Sequence, residues 1–324
     1  MPQAPVNFGS LAPEELPWDI GELIQPKQKR PWGQKRWCYV GVVHPDFFFG
    51  AAMVHLGYIT HAFAYAVDRK TRKMVEDARL FPPLGKIRFN AHPHRGQIRF
   101  SAPGGHLSLK ASGTGHHLKI AFPRKNLFGN IQLSLPDGGF KFRHFYLPMA
   151  KGNKAFTTKA AGLKAKGSLT FNGQTRALGD GAQGLLDWTQ GVYPRRTQWN
   201  WACGTGVSDR DIPLSFNFSR GVYEYGQLEN TIWIQGRPLA TGPMRFDYDG
   251  QKPHAPWKIH SSDGRVNLDF IPQGIRQGDE NLGIVHSQFI QPQGRFQGSF
   301  TLPNGQVHTL GEVSGVTEAH FAKW

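Results

Sequence analysis

Apolar and polar residues alternate with a period of two along much of the chain. In "HLSLKA", Leu107 and Leu109 share one side while Ser108 and Lys110 share the other. "KIRFNA", "GQIRFSA", "HLKIAFP" and "IQLSLP" are further strand-length pieces within residues 86–147. Together they predict a half-solvated antiparallel meander. Upstream, "RWCYVGVVHPDFFFGAAMVHLGYITHAFAYAVDRKTRKMV" divides into three strands. Val40–Val43 is β-branched, Pro45-Asp46 marks a turn, Phe47–Leu56 runs apolar as far as Gly57, and Tyr58–Val67 is aromatic and small. "DRKTRK" is the polar tip of the hairpin that follows. Asp137-Gly138-Gly139, Asn172-Gly173, Gln235-Gly236, Asp263-Gly264 and Asn304-Gly305 predict five more hairpin turns. No helical periodicity exceeds ~12 residues, the length below which helices are marginal. Residues 179–186 alone suit one or two helical turns. The pattern predicts an all-β chain of two consecutive antiparallel barrels or strongly curved sheets with few short helices. The expected divisions are an extended lead-in over 1–30, an N-terminal barrel over 31–165 and a C-terminal barrel over 166–324.

Composition agrees with two domains. The chain has 324 residues, and its Gly 39 and Pro 23 are spread throughout, as turns between short strands require. With 38 basic and 23 acidic residues the formal net charge is +15, which favours anionic partners. The bases are dispersed, the densest run being Lys27–Arg36. No RNA-recognition signature, zinc-finger spacing or basic groove-binding helix is evident, which argues against sequence-specific nucleic-acid binding. An anionic membrane surface remains an expected partner. Cys38 and Cys203 are far apart, and whether they pair is open. The N-terminus lacks the basic and apolar regions of a signal peptide, and no apolar stretch approaches ~18 residues. The expected address is the cytoplasm, with a peripheral membrane position as its variant. Oligomeric state is not encoded in any visible pattern.

The chain lacks GxGxxG after a strand, a Walker loop, GxSxG and HExxH, so no cofactor and no metal is expected. His92, His94, His116 and His117 lack an acid or cysteine at ligand spacing and are expected at the surface. The dense stretch is "LLDWTQGVYPRRTQWNWACG", residues 185–204. On a strand, Trp199 and Trp201 share a face, either as core or as the aromatic lining of a pocket. Arg195 and Arg196 suit a carboxylate or phosphate; otherwise they form a solvent-facing rim or a salt bridge to Asp187. Asp187, beside Trp188, is either a general acid raised in pKa by the indole or a turn residue. Tyr193 adds a further aromatic. Glu229-Asn230 is an acid–amide pair entering a strand, and Glu224 lies between two tyrosines. In "TEAHFAKW", Glu318, His320 and Trp324 fall on one face of a final strand, where acid and imidazole can orient a proton donor or close the barrel. Asp187, Glu229, Glu318 and His320 are the catalytic candidates. Trp188, Tyr193, Arg195, Arg196, Trp199, Trp201, Asn230 and Trp257 are the ligand-binding candidates.

"RWCYVGVVHPDFFFG", "DWTQGVYPRRTQWNWACGTG", "LENTIWIQG", "PWKIHSSDGRVNLDF" and "TEAHFAKW" resemble the family called domain of unknown function 2804, over about residues 16–324. More distantly the layout is similar to the superfamily of tandem lipocalin-like barrels that includes carotenoid 1,2-hydratases. That resemblance implies two lipocalin-like barrels and a terpenoid- or polyketide-like ligand. It also implies that Asp187, Trp199 and Trp201 handle a cationic intermediate. This chain departs from the hydratases in carrying Gln198 and Asn200 where a histidine is expected.

Three functions follow. The first is binding, and acid-catalysed hydration, isomerisation or cyclisation, of an apolar terpenoid- or lipid-like ligand between the two barrels. The second is a carbohydrate-active enzyme using two of Asp187, Glu224, Glu229 and Glu318. The third is a non-enzymatic lipid- or membrane-surface-binding protein.

Overall fold

The structure is a computed structural model that describes residues 15–16, 20, 33–81, 87–90, 92–223 and 228–324. Most of the expected lead-in over 1–30, together with Glu224, lies outside the described residues. The fold is all-β, with two antiparallel curled half-barrel sheets. The chain divides into two compact units, residues 1–137 with 141–193, and residues 138–140 with 194–324.

The first unit holds a 13-stranded sheet. One meander comprises β1 (Gln34–Val43), β2 (Phe47–His55), β3 (Thr60–Asp68) and β4 (Met74–Phe81). A second comprises β5 (Ile87–Arg88), β6 (Arg95–Ala102), β7 (Gly105–Ser112), β8 (Gly115–Phe122) and β9 (Leu127–Ser134). β10 (Arg143–Pro148), β11 (Lys154–Phe171), β12 (Gln174–Leu178) and β13 (Gln183–Val192) follow. The order is β4-β3-β2-β1-β13-β11-β9-β8-β7-β6-β5, with β10 and β12 also paired to β11. β2 lies against β5 and β6, so the sheet curls back on itself.

Three expectations change here. The division expected at 165/166 falls inside β11, and the units part at 193/194 instead. β11 is one long strand that changes partners. Its first half pairs with β10 and β13, its second with β9 and β12. Gly167, at φ +119°, lets β9 approach this second half closely, because a Cβ there would meet the Asn130 carbonyl oxygen at 1.9 Å. Residues 183–186 are the start of β13 rather than helix. From Gly184 onward they are buried on both faces of the sheet, which erases the alternation that marks a strand. The Asp137–Gly139 turn does not close a hairpin, because β9 pairs with β8 and β11 while β10 lies on β11.

The second unit holds a nine-stranded sheet: β14 (Arg196–Ser208), β15 (Pro213–Arg220), β16 (Thr231–Ile234), β17 (Arg237–Ala240), β18 (Met244–Asp247), β19 (Trp257–Ser261), β20 (Val266–Asn281), β21 (His286–Thr301) and β22 (Val307–Lys323). Its order is β17-β16-β15-β14-β22-β21-β20-β19-β18, and β15 lies against β18. Gln235-Gly236, Asp263-Gly264 and Asn304-Gly305 sit at the tips of the expected hairpins. One face of this sheet carries an apolar core that includes Ala202, Phe216, Phe218, Trp257, Phe270, Phe296 and Val313. The Phe216 ring lies 4.8 Å from those of Phe218 and Phe296, edge-on to the latter, a favoured aromatic geometry. Cys38 and Cys203 are both buried thiols, not joined in a disulfide. No helix among the described residues is long and apolar enough to cross a membrane.

Candidate active site

In the first unit, strand register assembles a row that sets polar groups beside aromatic ones. Phe63, Ala52, Tyr39, Asp187, Lys159 and Arg143 stand opposite one another across β3, β2, β1, β13, β11 and β10. Alternation adds Trp37, Tyr65, Thr157 and Thr189 to the same face. Asp187 is the centre. Its Oδ2 lies 2.6 Å from Lys159 Nζ, and the two side chains are only 11% and 3% exposed. Thr189 Oγ1 donates to Oδ1 at 2.8 Å, and Trp37 Nε1 donates to Oδ2 at 3.3 Å. Thr157 Oγ1 lies 2.6 Å from Thr189 Oγ1. A second polar pair stands beside the first: the hydroxyls of Tyr39 and Tyr65 are 3.1 Å apart. Gly50 makes room for it, because a Cβ there would fall 2.6 Å from the Tyr65 ring. Phe63 stacks on Tyr65 and Trp37 packs on Tyr193, with ring centroids 6.2 and 5.1 Å apart. The carboxylate and ammonium are thus nearly dry and surrounded by aromatic rings.

Asp187 and Trp188 point to opposite faces, so the expected carboxyl-on-indole contact uses Trp37 instead. Trp188 is core: its Nε1 donates to Asn90 Oδ1 at 3.1 Å and its ring meets Phe156 edge-on. The ion-pair partner of Asp187 is Lys159, not Arg195 or Arg196. Burial raises the neighbouring Cys38 thiol well above its usual pKa, and the Asp187 charge adds to the shift.

In the second unit, Trp199 and Trp201 do share a face, opposite His320 and Glu318 of β22. Trp199 Nε1 donates to Glu318 Oε1 at 2.9 Å, and Gln291 Nε2 donates to Oε2. His320 Nδ1 lies 3.1 Å from Glu318 Oε1, and its Nε2 lies 3.0 Å from Ser287 Oγ. Burial opposes the charge of Glu318, but the bonds from His320, then Gln291 and Trp199, hold its carboxyl below the usual range. The His320 ring lies 4.1 Å from that of Trp199, which is itself 5.8 Å from Trp324. The Trp324 indole is fixed by the Pro194 carbonyl at 3.0 Å.

The other expected residues hold the second unit together. Trp201 Nε1 donates to Asn217 Oδ1 at 2.9 Å, and Asn217 in turn donates to the Glu229 carbonyl. Asn230 is bound by the Ser219 N–H and by the Gly242 carbonyl. Trp257 is core, stacked on Tyr248 at 4.1 Å. Glu229 is 2% exposed. Arg195 and Arg196 are exposed, and Arg195 donates to the Ile284 carbonyl.

The histidines expected at the surface are instead buried, with His117 half-exposed. His92, His94 and His116 are at most 2% exposed, and His144 joins them at 0%. His94 is central, with ring centroids 6.0, 5.8 and 5.2 Å from His92, His116 and His144. Burial lowers His92 and His116 to about 4 and His144 to about 3, and it lowers His94 further. All four are therefore neutral near pH 7. Among the described residues no group of three or more His, Cys, Asp or Glu is placed to hold a metal ion.

The model of the family described as domain of unknown function (DUF2804) matches residues 9–324. The chain belongs to that family. No curated protein matches it. Two solved structures are similar in fold. CghA with Sch210972 is 13% identical, with a TM-score of 0.56 over 97% of this chain and 94% of that one. A Nitrosomonas europaea protein assigned as AttH is 11% identical, with a TM-score of 0.53 over 89% and 92% of the two chains. At these identities the likeness concerns the fold alone.

Proposed function

We propose that the protein binds an apolar, terpenoid- or lipid-like ligand against the Trp37–Tyr39–Tyr65 face and converts it by proton transfer from the Lys159–Asp187 pair. The observation that carries this is the nearly dry ion pair set among aromatic side chains. Such a pair is costly to bury. A ligand that covers it shields the pair from bulk solvent, and the proton that bridges Lys159 and Asp187 is passed on from the Asp187 carboxyl. The acid then protonates a carbon–carbon double bond. The cation formed faces Trp37, Tyr39 and Tyr65, each ring contact being worth ~0.5–2 kcal/mol. In isomerisation or cyclisation the cation loses a proton from a neighbouring carbon back to the pair. In hydration, water adds to the cation and its surplus proton returns there. CghA, which has this fold, was crystallised with Sch210972, in keeping with a ligand-binding role.

Proton transfer suits the site better than glycoside hydrolysis. Asp187 is engaged by a cation, and Glu318 by N–H donors and a histidine, where a glycosidase needs two carboxyl groups facing each other. The test is Asp187→Asn assayed against a panel of polyene and terpenoid substrates. Binding, followed by tryptophan quenching, is expected to persist within a few fold. Turnover is expected to fall by at least ~100-fold, the usual contribution of a general acid. Equal turnover in the variant would remove Asp187 from the chemistry.

A further inference from the structure

We infer that Ser287, His320 and Glu318 form a second catalytic site, a nucleophilic relay for apolar carboxylic esters. The site lies wholly in the second unit and does not depend on the proton-transfer role of Asp187. Its members come from adjacent antiparallel strands. Phe289 of β21 stands opposite His320 of β22, and Ser287 lies two residues before it on the same face. Ser287 Oγ to His320 Nε2 is 3.0 Å, and His320 Nδ1 to Glu318 Oε1 is 3.1 Å. This is the nucleophile–base–orienting-acid sequence that activates a serine hydroxyl, recognised by geometry rather than by chain order.

Each member is held for its role. Three donors hold the Glu318 carboxylate ionised, so it acts as acceptor for the Nδ1–H and fixes the tautomer that leaves Nε2 free to take a proton. The imidazole is wedged between Trp199 and Phe289, at ring centroids of 4.1 and 5.5 Å. Its side chain is 19% exposed, so an incoming ester can reach it. Trp199, Trp324 and Phe289 surround it with apolar surface, which suits an ester with a hydrocarbon body. Arg195 precedes β14 at the same end of the sheet, where its exposed guanidinium suits a negatively charged end group.

The step balances with water alone. Ser287 Oγ bonds to the ester carbonyl carbon and passes its proton to His320 Nε2. The carbon–oxygen bond to the alcohol breaks, and the alcohol leaves with that proton. Water then attacks the acyl-serine and gives a proton to His320. The acid departs and Ser287 recovers its hydrogen.

The test uses a fluorophosphonate probe, which phosphonylates activated serines with loss of fluoride, on the full-length protein, with peptide mapping by mass spectrometry. The expected result is one adduct, on Ser287, at a rate at least ~100-fold slower in His320→Gln. Hydrolysis of p-nitrophenyl butyrate and laurate should be lost in Ser287→Ala, whose fold is checked by circular dichroism. No adduct on Ser287 in the wild type would overturn the inference, as would an adduct formed equally fast in His320→Gln.

Discussion

Lys159→Met destabilises the protein by about 3–5 kcal/mol, because it leaves the Asp187 carboxylate nearly buried with no cation. The expected readout is a lower midpoint in urea with unchanged slope. The Lys159 and Asp187 side chains are 3% and 11% exposed and 2.6 Å apart, so water cannot stand in for the lost ammonium. The double variant Lys159→Met, Asp187→Leu should recover most of the loss, since an apolar pair of similar size carries no desolvation penalty. A double variant as unstable as the single would mean that packing of the lysine stem, not charge, is what matters at β11. The comparison separates stability from chemistry: the double variant should fold and remain inactive.

Stability falls as the solution is acidified from pH 6.5 towards pH 4, well before most carboxylates titrate. His92 and His116 are lowered to about 4 and His144 to about 3, with burial the main cause in each. A histidine lowered in the folded state binds its proton more readily when unfolded. Its contribution is therefore fully present above pH 6.5 and is lost as pH falls through the folded value. At pH 5 each contributes a loss of about 2 kcal/mol. His44, His55 and His106 are lowered in the same direction, also by burial. Asp68 and Glu318 are lowered as well, so their loss comes at lower pH and does not mask the histidine window. Thermal melts from pH 8 to pH 4.5 check this. A level melting temperature between pH 7 and pH 5 would contradict it.

Period-two alternation made much of the second site legible. Trp199 with Trp201, and Glu318 with His320, fall on shared faces because the segments are strands, and strand faces follow from sequence parity alone. Ser287 was not legible, because what joins it to His320 is the register between β21 and β22, which no local pattern encodes. The same holds for Asp187 and Lys159, 28 residues apart on β13 and β11. Tyr39 and Tyr65 did leave a trace: Trp37 and Tyr39 alternate in "RWCYVG", as do Phe63 and Tyr65 in "HAFAYAV". Such aromatic alternation among small residues marks a face. Ligand spacing carries no information on the burial of the histidines, whereas strand parity does: His116 has the parity of Leu118, Ile120 and Phe122, all buried. The position of the division between units was hidden by β13, a C-terminal segment inserted beside β1.

Native mass spectrometry of wild type and Asp187→Asn after incubation with the same lipid extract tests ligand conversion at Asp187 most directly. An apolar molecule is expected on both. The variant should hold a substrate that differs in mass from the wild-type product by one water for hydration. For isomerisation or cyclisation the masses match, and fragmentation and retention time should differ. An identical, unaltered molecule on both proteins, or none on either, would contradict it.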